Sequence, residues 1–159
     1  MVSEIRTSCI SKSLALLVSI LLSASLLLNP TLANDTDDKT KAVLAANSEF
    51  YRAFRESDIP AMEAVWATGP KVAVIHPGWP QLNGYEDVLL SWRMILENPY
   101  SPKIRSTNAI VEFKDGSAFV TTDEIFGSGI IHAMNIYQLH DGKWEMVFHG
   151  AVSSTASQT

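Results

Sequence analysis

The sequence has little cysteine: a single residue, Cys9, in 159. Cys9 precedes the first apolar run, in a segment read below as removable. The domain that follows therefore has no disulfide, thiol nucleophile, thiolate-held metal or thiol redox chemistry, and its core must be stable without cross-links. Positive charge is also scarce. Twelve Lys and Arg against 17 Asp and Glu give a formal charge of −5 with no long basic run, which argues against a nucleic-acid partner. The motifs of several enzyme classes are missing. There is no Gly-x-Ser-x-Gly elbow, phosphate loop, dinucleotide fingerprint or calcium loop, so serine hydrolase, kinase and dehydrogenase readings fall away and no cofactor is implied.

What is present starts with an export pattern. Arg6 and Lys12 precede an apolar run from Leu14 to Leu28, then Pro30 and Thr31-Leu32-Ala33. This is the order of a secretory signal peptide over residues 1–33, with cleavage expected after Ala33. The run is about 15 residues, roughly 22 Å as helix, short of the roughly 20 residues that span a bilayer. An uncleaved anchor is the alternative. Cleavage would remove Glu4, Arg6 and Lys12 and shift the charge from −5 to −6. The expected product is periplasmic or secreted, with no membrane contact afterwards. Residues 34–41 are polar and read as a flexible lead-in, 42–153 as one domain, and 154–159 as a tail.

Within the domain, Val43, Ala46, Phe50 and Phe54 recur at spacings of three and four, which predicts an amphipathic helix. Ser57-Asp58 ends it and caps a second short helix carrying Pro60, Met62, Val65 and Trp66, stopped by Gly69-Pro70. Val72 to Ile75 reads as a strand, His76 to Pro80 as a stiff loop, and Tyr85 to about Leu96 as a third helix with Val88, Trp92 and Ile95 buried. From Ile104 the period drops to two. Strands are predicted at Ile104–Phe113, Ser117–Phe126, Ile130–His140 and Lys143–Val152, separated by Lys114-Asp115-Gly116, Gly127-Ser128-Gly129 and Asp141-Gly142. Helices followed by an antiparallel meander predict an α+β domain with helices packed on one face of a curved sheet.

Several segments carry a resemblance. They are Phe50-Tyr51-Arg52-Ala53-Phe54 with Ser57-Asp58-Ile59, Val74-Ile75-His76-Pro77-Gly78-Trp79, Leu82-Asn83-Gly84-Tyr85-Glu86-Asp87-Val88, Ser91-Trp92-Arg93, and Asp141-Gly142-Lys143-Trp144-Glu145-Met146-Val147. Together they resemble the nuclear transport factor 2-like superfamily in its SnoaL-like branch, over roughly residues 44–152. The resemblance implies a cone, in which a strongly curved antiparallel sheet wraps three helices and leaves a pocket. Such cones include ketosteroid isomerases, cyclases, dehydratases and non-enzymatic assembly domains, so fold alone does not decide function.

By that resemblance His76 stands where ketosteroid isomerases place a carboxylate base, also before a proline, and histidine can move protons near neutrality. The plainer reading is that His76 holds its loop or packs on Trp79. Asn135 matches the isomerases' protonated aspartate and can donate a hydrogen bond to a developing oxyanion. Their donating tyrosine aligns with Phe50, while Tyr51 is one residue off. His149 shares a face, by alternation, with Glu145, Val147 and Ala151, and the resemblance turns that face toward the pocket. His132 has the opposite parity from Asn135, and His140 sits by a turn. The site expected is catalytic His76, Asn135 and His149, with Trp79, Tyr51, Trp92 and Asp123 as ligand contacts and no metal.

The leading expectation is a pocket for a small, largely apolar organic ligand, acting as a cofactor-free acid–base enzyme of the isomerase, cyclase or dehydratase type. The alternative is a non-enzymatic homodimeric interaction or ligand-binding domain, paired through the outer sheet face that carries His132, Met134 and Ile136. A third reading, a metal-dependent hydrolase or oxygenase, would use two histidines and Asp123.

Overall fold

The computed structural model describes residues 29–69 and 71–152. The expected apolar run of the signal segment and the 154–159 tail lie outside the described residues. The chain forms two compact units, Met1–Lys39 and Thr40–Thr159. Helix α1 (Asn29–Glu56) starts earlier than its apolar stripe, so the stretch 34–41, expected as a flexible lead-in, is helical. Residues 34–41 contain no Gly or Pro, and Lys39 pairs with Asp35 one turn away at 2.6 Å.

In the second unit, Val43, Asn47, Phe50, Tyr51, Ala53 and Phe54 make the buried face of α1. Two of these six, Asn47 and Tyr51, carry polar groups. Ser57, at φ 56°, ends the helix, with the Asp58 amide donating to the Ala53 carbonyl at 2.9 Å. Asp58 then caps α2 (Ile59–Val65) by accepting from the Ala61 amide at 3.1 Å. Trp66 falls just past the end of α2, in extended backbone that bridges to Met146. Helix α3 (Tyr85–Leu96) buries Val88, Leu89, Ser91, Trp92 and Leu96.

Six strands form one curved, open sheet in the order β2-β1-β6-β5-β4-β3. They are β1 (Ala73–Ile75), β2 (Leu82–Asn83), β3 (Arg105–Lys114), β4 (Ser117–Phe126), β5 (Gly129–His140) and β6 (Lys143–Val152). The β3–β4 and β5–β6 hairpins turn on Asp115-Gly116 and Asp141-Gly142, all four at positive φ, the geometry that matches strand twist. Strand β1 lies parallel to β6, with Val74 opposite His149. That pairing, which has no local signal, sets the end of β1 beside His149 and Gly150 of β6. Three helices packed on the inner face of this sheet give an α+β cone.

One register detail corrects the alternation read from the sequence. Strand β6 bulges against β5 between the pairs Ile136–Phe148 and Tyr137–Met146. The extra residue reverses parity, so Met146 rather than Val147 joins His149 and Ala151 as a buried position. Glu145 pairs with Lys143 and His140 instead of sharing the face of His149.

Candidate functional site

The interior of the cone holds a polar cluster among aromatic rings. Asn135 comes from the inner parity of β5, His149 from β6 beyond the bulge, and Asn47 and Tyr51 from α1. All four are buried. Asn135 Nδ2 donates to Asn47 Oδ1 at 2.7 Å and to Tyr51 Oη at 3.2 Å. Its other amide atom, Oδ1, meets His149 Nδ1 at 2.7 Å. The Tyr137 hydroxyl also donates to Asn47 Oδ1, at 3.1 Å. Tyr51 in turn donates to Glu124 Oε1 at 2.9 Å, and that oxygen stands 3.9 Å from His149 Nε2.

Glu124 is a functional candidate that the sequence reading missed. It lies on β4 at the parity of Ala118, Val120 and Thr122, all of which are buried. A carboxylate on the apolar parity of a strand was the available signal. So was a pair of polar residues, Asn47 and Tyr51, on the apolar stripe of α1. Burial pushes the Glu124 carboxyl up to about 7, against a smaller downward pull from the Tyr51 hydrogen bond. Tyr51 itself is raised, first by burial and then by the neighbouring Glu124 charge.

His76 terminates β1 and is 4% exposed. Its Nε2 lies 2.9 Å from Ser91 Oγ on α3. Burial pushes His76 down to about 4. Burial, with a smaller contribution from His76, pushes His149 down to about 3. Both imidazoles are therefore neutral at neutral pH. Their ring centroids are 6.4 Å apart, and the Trp92 ring packs on each, at 4.7 Å from His76 and 5.6 Å from His149. Phe50 closes against Trp92 and His149 at 5.3 and 5.1 Å. Among the described residues, the buried Trp92 Nε1 has no hydrogen-bond partner.

The expected site residues thus divide. Asn135 and His149 are joined directly, Tyr51 joins them, and His76 and Trp92 pack alongside. Trp79 is 39% exposed and sets its ring edge-on to His76 at 5.3 Å, at the rim. Asp123 is not part of the cluster. Its side chain points to the outer face, where it accepts from Asn108 Nδ2 and His132 Nδ1, each at 2.8 Å. Strand alternation is the reason, since Glu124 takes the inner position. Pairing with Asn108, and then with His132, holds the Asp123 carboxyl below its ordinary range. His132 is exposed on that outer face, Arg93 pairs with Glu63, and no cluster of three or more His, Cys, Asp or Glu suited to a metal occurs among the described residues.

The cluster is enclosed by side chains, and three concavities lie elsewhere. A groove of about 550 Å³ on the outer sheet face is lined by Ile75, Ile110, Met134 and Phe148, with Asp123 and His132 also on its wall. A second, of about 410 Å³, lies at the start of α3. A third, of about 450 Å³, lies where α1 and α2 meet the Asp141-Gly142 turn. No described helix is long and apolar enough to cross a membrane.

Three helices on an open, curved six-stranded sheet, with polar groups converging inside, define the NTF2-like cone as the class of fold. The sequence profile of the SnoaL-like domain matches residues 43–156, and the chain belongs to that family. A solved NTF2-like family protein from Streptomyces avermitilis, named as a candidate dehydratase, is 26% identical. The match covers 76% of this chain and 99% of that one, with a TM-score of 0.70. A candidate calcium/calmodulin-dependent protein kinase type II association domain from Thiobacillus denitrificans is 29% identical, covering 69% and 92%, with a TM-score of 0.63. The F-box protein SKIP8 of Arabidopsis thaliana is 25% identical over 112 residues, 69% of this chain and 48% of that protein. The chain thus spans about half the length of this curated relative.

Proposed function

We propose that the domain binds a small, largely apolar organic molecule inside the cone and acts on it by acid–base chemistry without a cofactor. The observation that carries this reading is the convergence of Tyr51, Glu124, Asn135 and His149 in one buried hydrogen-bonded network. Enclosed polar groups cost stability unless every partner is met, and networks of this kind are concentrated where function requires them. His76 and His149 are neutral bases and Glu124 exchanges a proton near neutrality, with Ser91 orienting His76, Asn135 orienting His149 and Tyr51 orienting Glu124. The entry route in this reading passes Trp79, which sits partly exposed between Pro77 and Pro80 with its ring edge-on to His76. The likeness to a candidate dehydratase supports a reaction of the isomerase, cyclase or dehydratase type.

The test is ligand-induced stabilisation and turnover across a panel of small carbonyl and hydroxyl compounds, with His76→Ala alongside. Saturable stabilisation that weakens in the variant supports the proposal. No saturable binding, with the variant unchanged, sinks it.

A second reading rests on the outer face. Ile110 and Met134 are exposed there and line the 550 Å³ groove, and an apolar patch of this kind favours pairing with a second copy of the chain. The similarity to an association domain supports it. A monomer by light scattering at high concentration would count against it. Export through residues 1–33 completes the proposal. Mass spectrometry of the exported protein should find Asn34 as its first residue, and an intact Met1 there would refute cleavage.

A further inference from the structure

Hydrogen bonding inside the cone fixes where the protons sit, and this sorts the interior into donors and acceptors. Ser91 has one hydroxyl proton and gives it to the Val88 carbonyl at 2.7 Å. The 2.9 Å contact with His76 is therefore made by a proton on His76 Nε2, which leaves the lone pair on Nδ1. Tyr51 gives its proton to Glu124, so the Asn135 amide must turn its NH₂ toward Tyr51 and Asn47. Its carbonyl oxygen is left for His149, whose proton is assigned to Nδ1 and whose lone pair is on Nε2. His76 Nδ1, His149 Nε2 and the Glu124 carboxylate thus all have acceptor capacity to spare. Among the described residues, the protons of Tyr51 and Tyr137 are spent within the network, no Lys or Arg is buried, and Trp92 Nε1, on the ring packed against both histidines, is left as a donor without a partner.

We infer that the interior takes a protonated organic amine on an apolar frame, with Glu124 as its counter-charge. The inference rests on the ligand-site reading above and narrows its substrate class. An ammonium group brings donors only and so complements a set of acceptors. Its charge meets the buried Glu124 carboxylate, where a charge-assisted hydrogen bond is strong. The Phe50 and Trp92 rings, which pack on His149 at 5.1 and 5.6 Å, add attraction for a cation and cover the apolar frame. An anionic ligand meets the opposite situation: among the described residues no buried Lys or Arg pairs with it, and Glu124 repels it.

The experiment is isothermal titration calorimetry of the full chain at pH 8 with three matched probes: 1-naphthylmethylamine, 1-naphthalenemethanol and 1-naphthoate. The amine is expected to bind at least about tenfold more tightly than the alcohol, and the carboxylate not to saturate. Glu124→Gln should weaken the amine by at least about tenfold and the alcohol by much less, so that the preference for the amine is lost. Naphthoate binding as tightly as the amine, or an unchanged amine affinity in Glu124→Gln, overturns the inference while leaving a ligand site in place. Failure of all three probes to bind removes the ligand-site reading, and the inference with it. Should Glu124→Gln not fold, the ranking of the three probes on the unmodified chain decides.

Discussion

Replacing Glu124 by Gln should change stability in a pH-dependent way whose sign follows from its surroundings. The carboxyl is buried and raised from an ordinary 4.5 to about 7. Below pH 4.5 it is protonated both folded and unfolded. Between 4.5 and 7 the unfolded chain releases the proton while the folded protein keeps it, so the stabilising contribution falls as pH rises and is gone above 7. At about 1.4 kcal/mol per pH unit, the loss between pH 5 and pH 8 comes to about 2 to 3 kcal/mol. The histidines act with the opposite sign. His76 and His149 are depressed to about 4 and 3, so their contribution is present above 6.5 and lost as pH falls through those values. They are unchanged in the variant, so the difference between the two proteins isolates Glu124. Gln retains an acceptor for the Tyr51 hydroxyl and cannot ionise. Urea unfolding at pH 5 and pH 8 should therefore show Glu124→Gln gaining about 2 to 3 kcal/mol relative to the unmodified protein at the higher pH. Equal differences at the two pH values would refute the burial argument.

Other substitutions test other parts of the account. Asn135→Leu removes the partner of Asn47, Tyr51 and His149 at once, and unpaired buried groups should cost roughly 2 to 5 kcal/mol in urea unfolding. Retained stability would mean that the network is not tightly coupled. Trp79→Ala should leave the midpoint of thermal unfolding nearly unchanged, because the side chain is partly exposed, yet speed ligand association in stopped-flow measurements. An unchanged association rate would remove the rim from the entry route. Met134→Lys places a charge on the outer groove and should convert a dimer to a monomer by light scattering. A persistent dimer would place the contact elsewhere.

The fold was largely legible because its signals are local. The hairpin punctuation fixed β4 and β6 at their observed bounds and β3 and β5 to within a residue, since Asp-Gly pairs favour the positive φ seen at Asp115, Gly116, Asp141 and Gly142. The site was legible only where parity was undisturbed. Asn135 and His132 fell on the expected inner and outer faces of β5. The bulge in β6 had no composition cue, so the alternation from Glu145 through Val147 to His149 failed there. Asp123 and Glu124 are adjacent acids with opposite surroundings, and only the register of β4 separates the outer carboxylate held by Asn108 and His132 from the buried one held by Tyr51. The parallel pairing of β1 with β6, which brings His76 toward His149, joins segments far apart in the chain and leaves no mark in either.

The most direct test of the interior is a carbon-13 and nitrogen-15 NMR titration of Glu124 and His149 from pH 5 to pH 9. The account predicts a Glu124 carboxyl midpoint near 7, with His149 neutral throughout and its proton on Nδ1 when Glu124 is ionised. A Glu124 midpoint at its ordinary 4.5, with His149 titrating at its ordinary 6.5, would show two solvated groups and contradict the buried acid–base network.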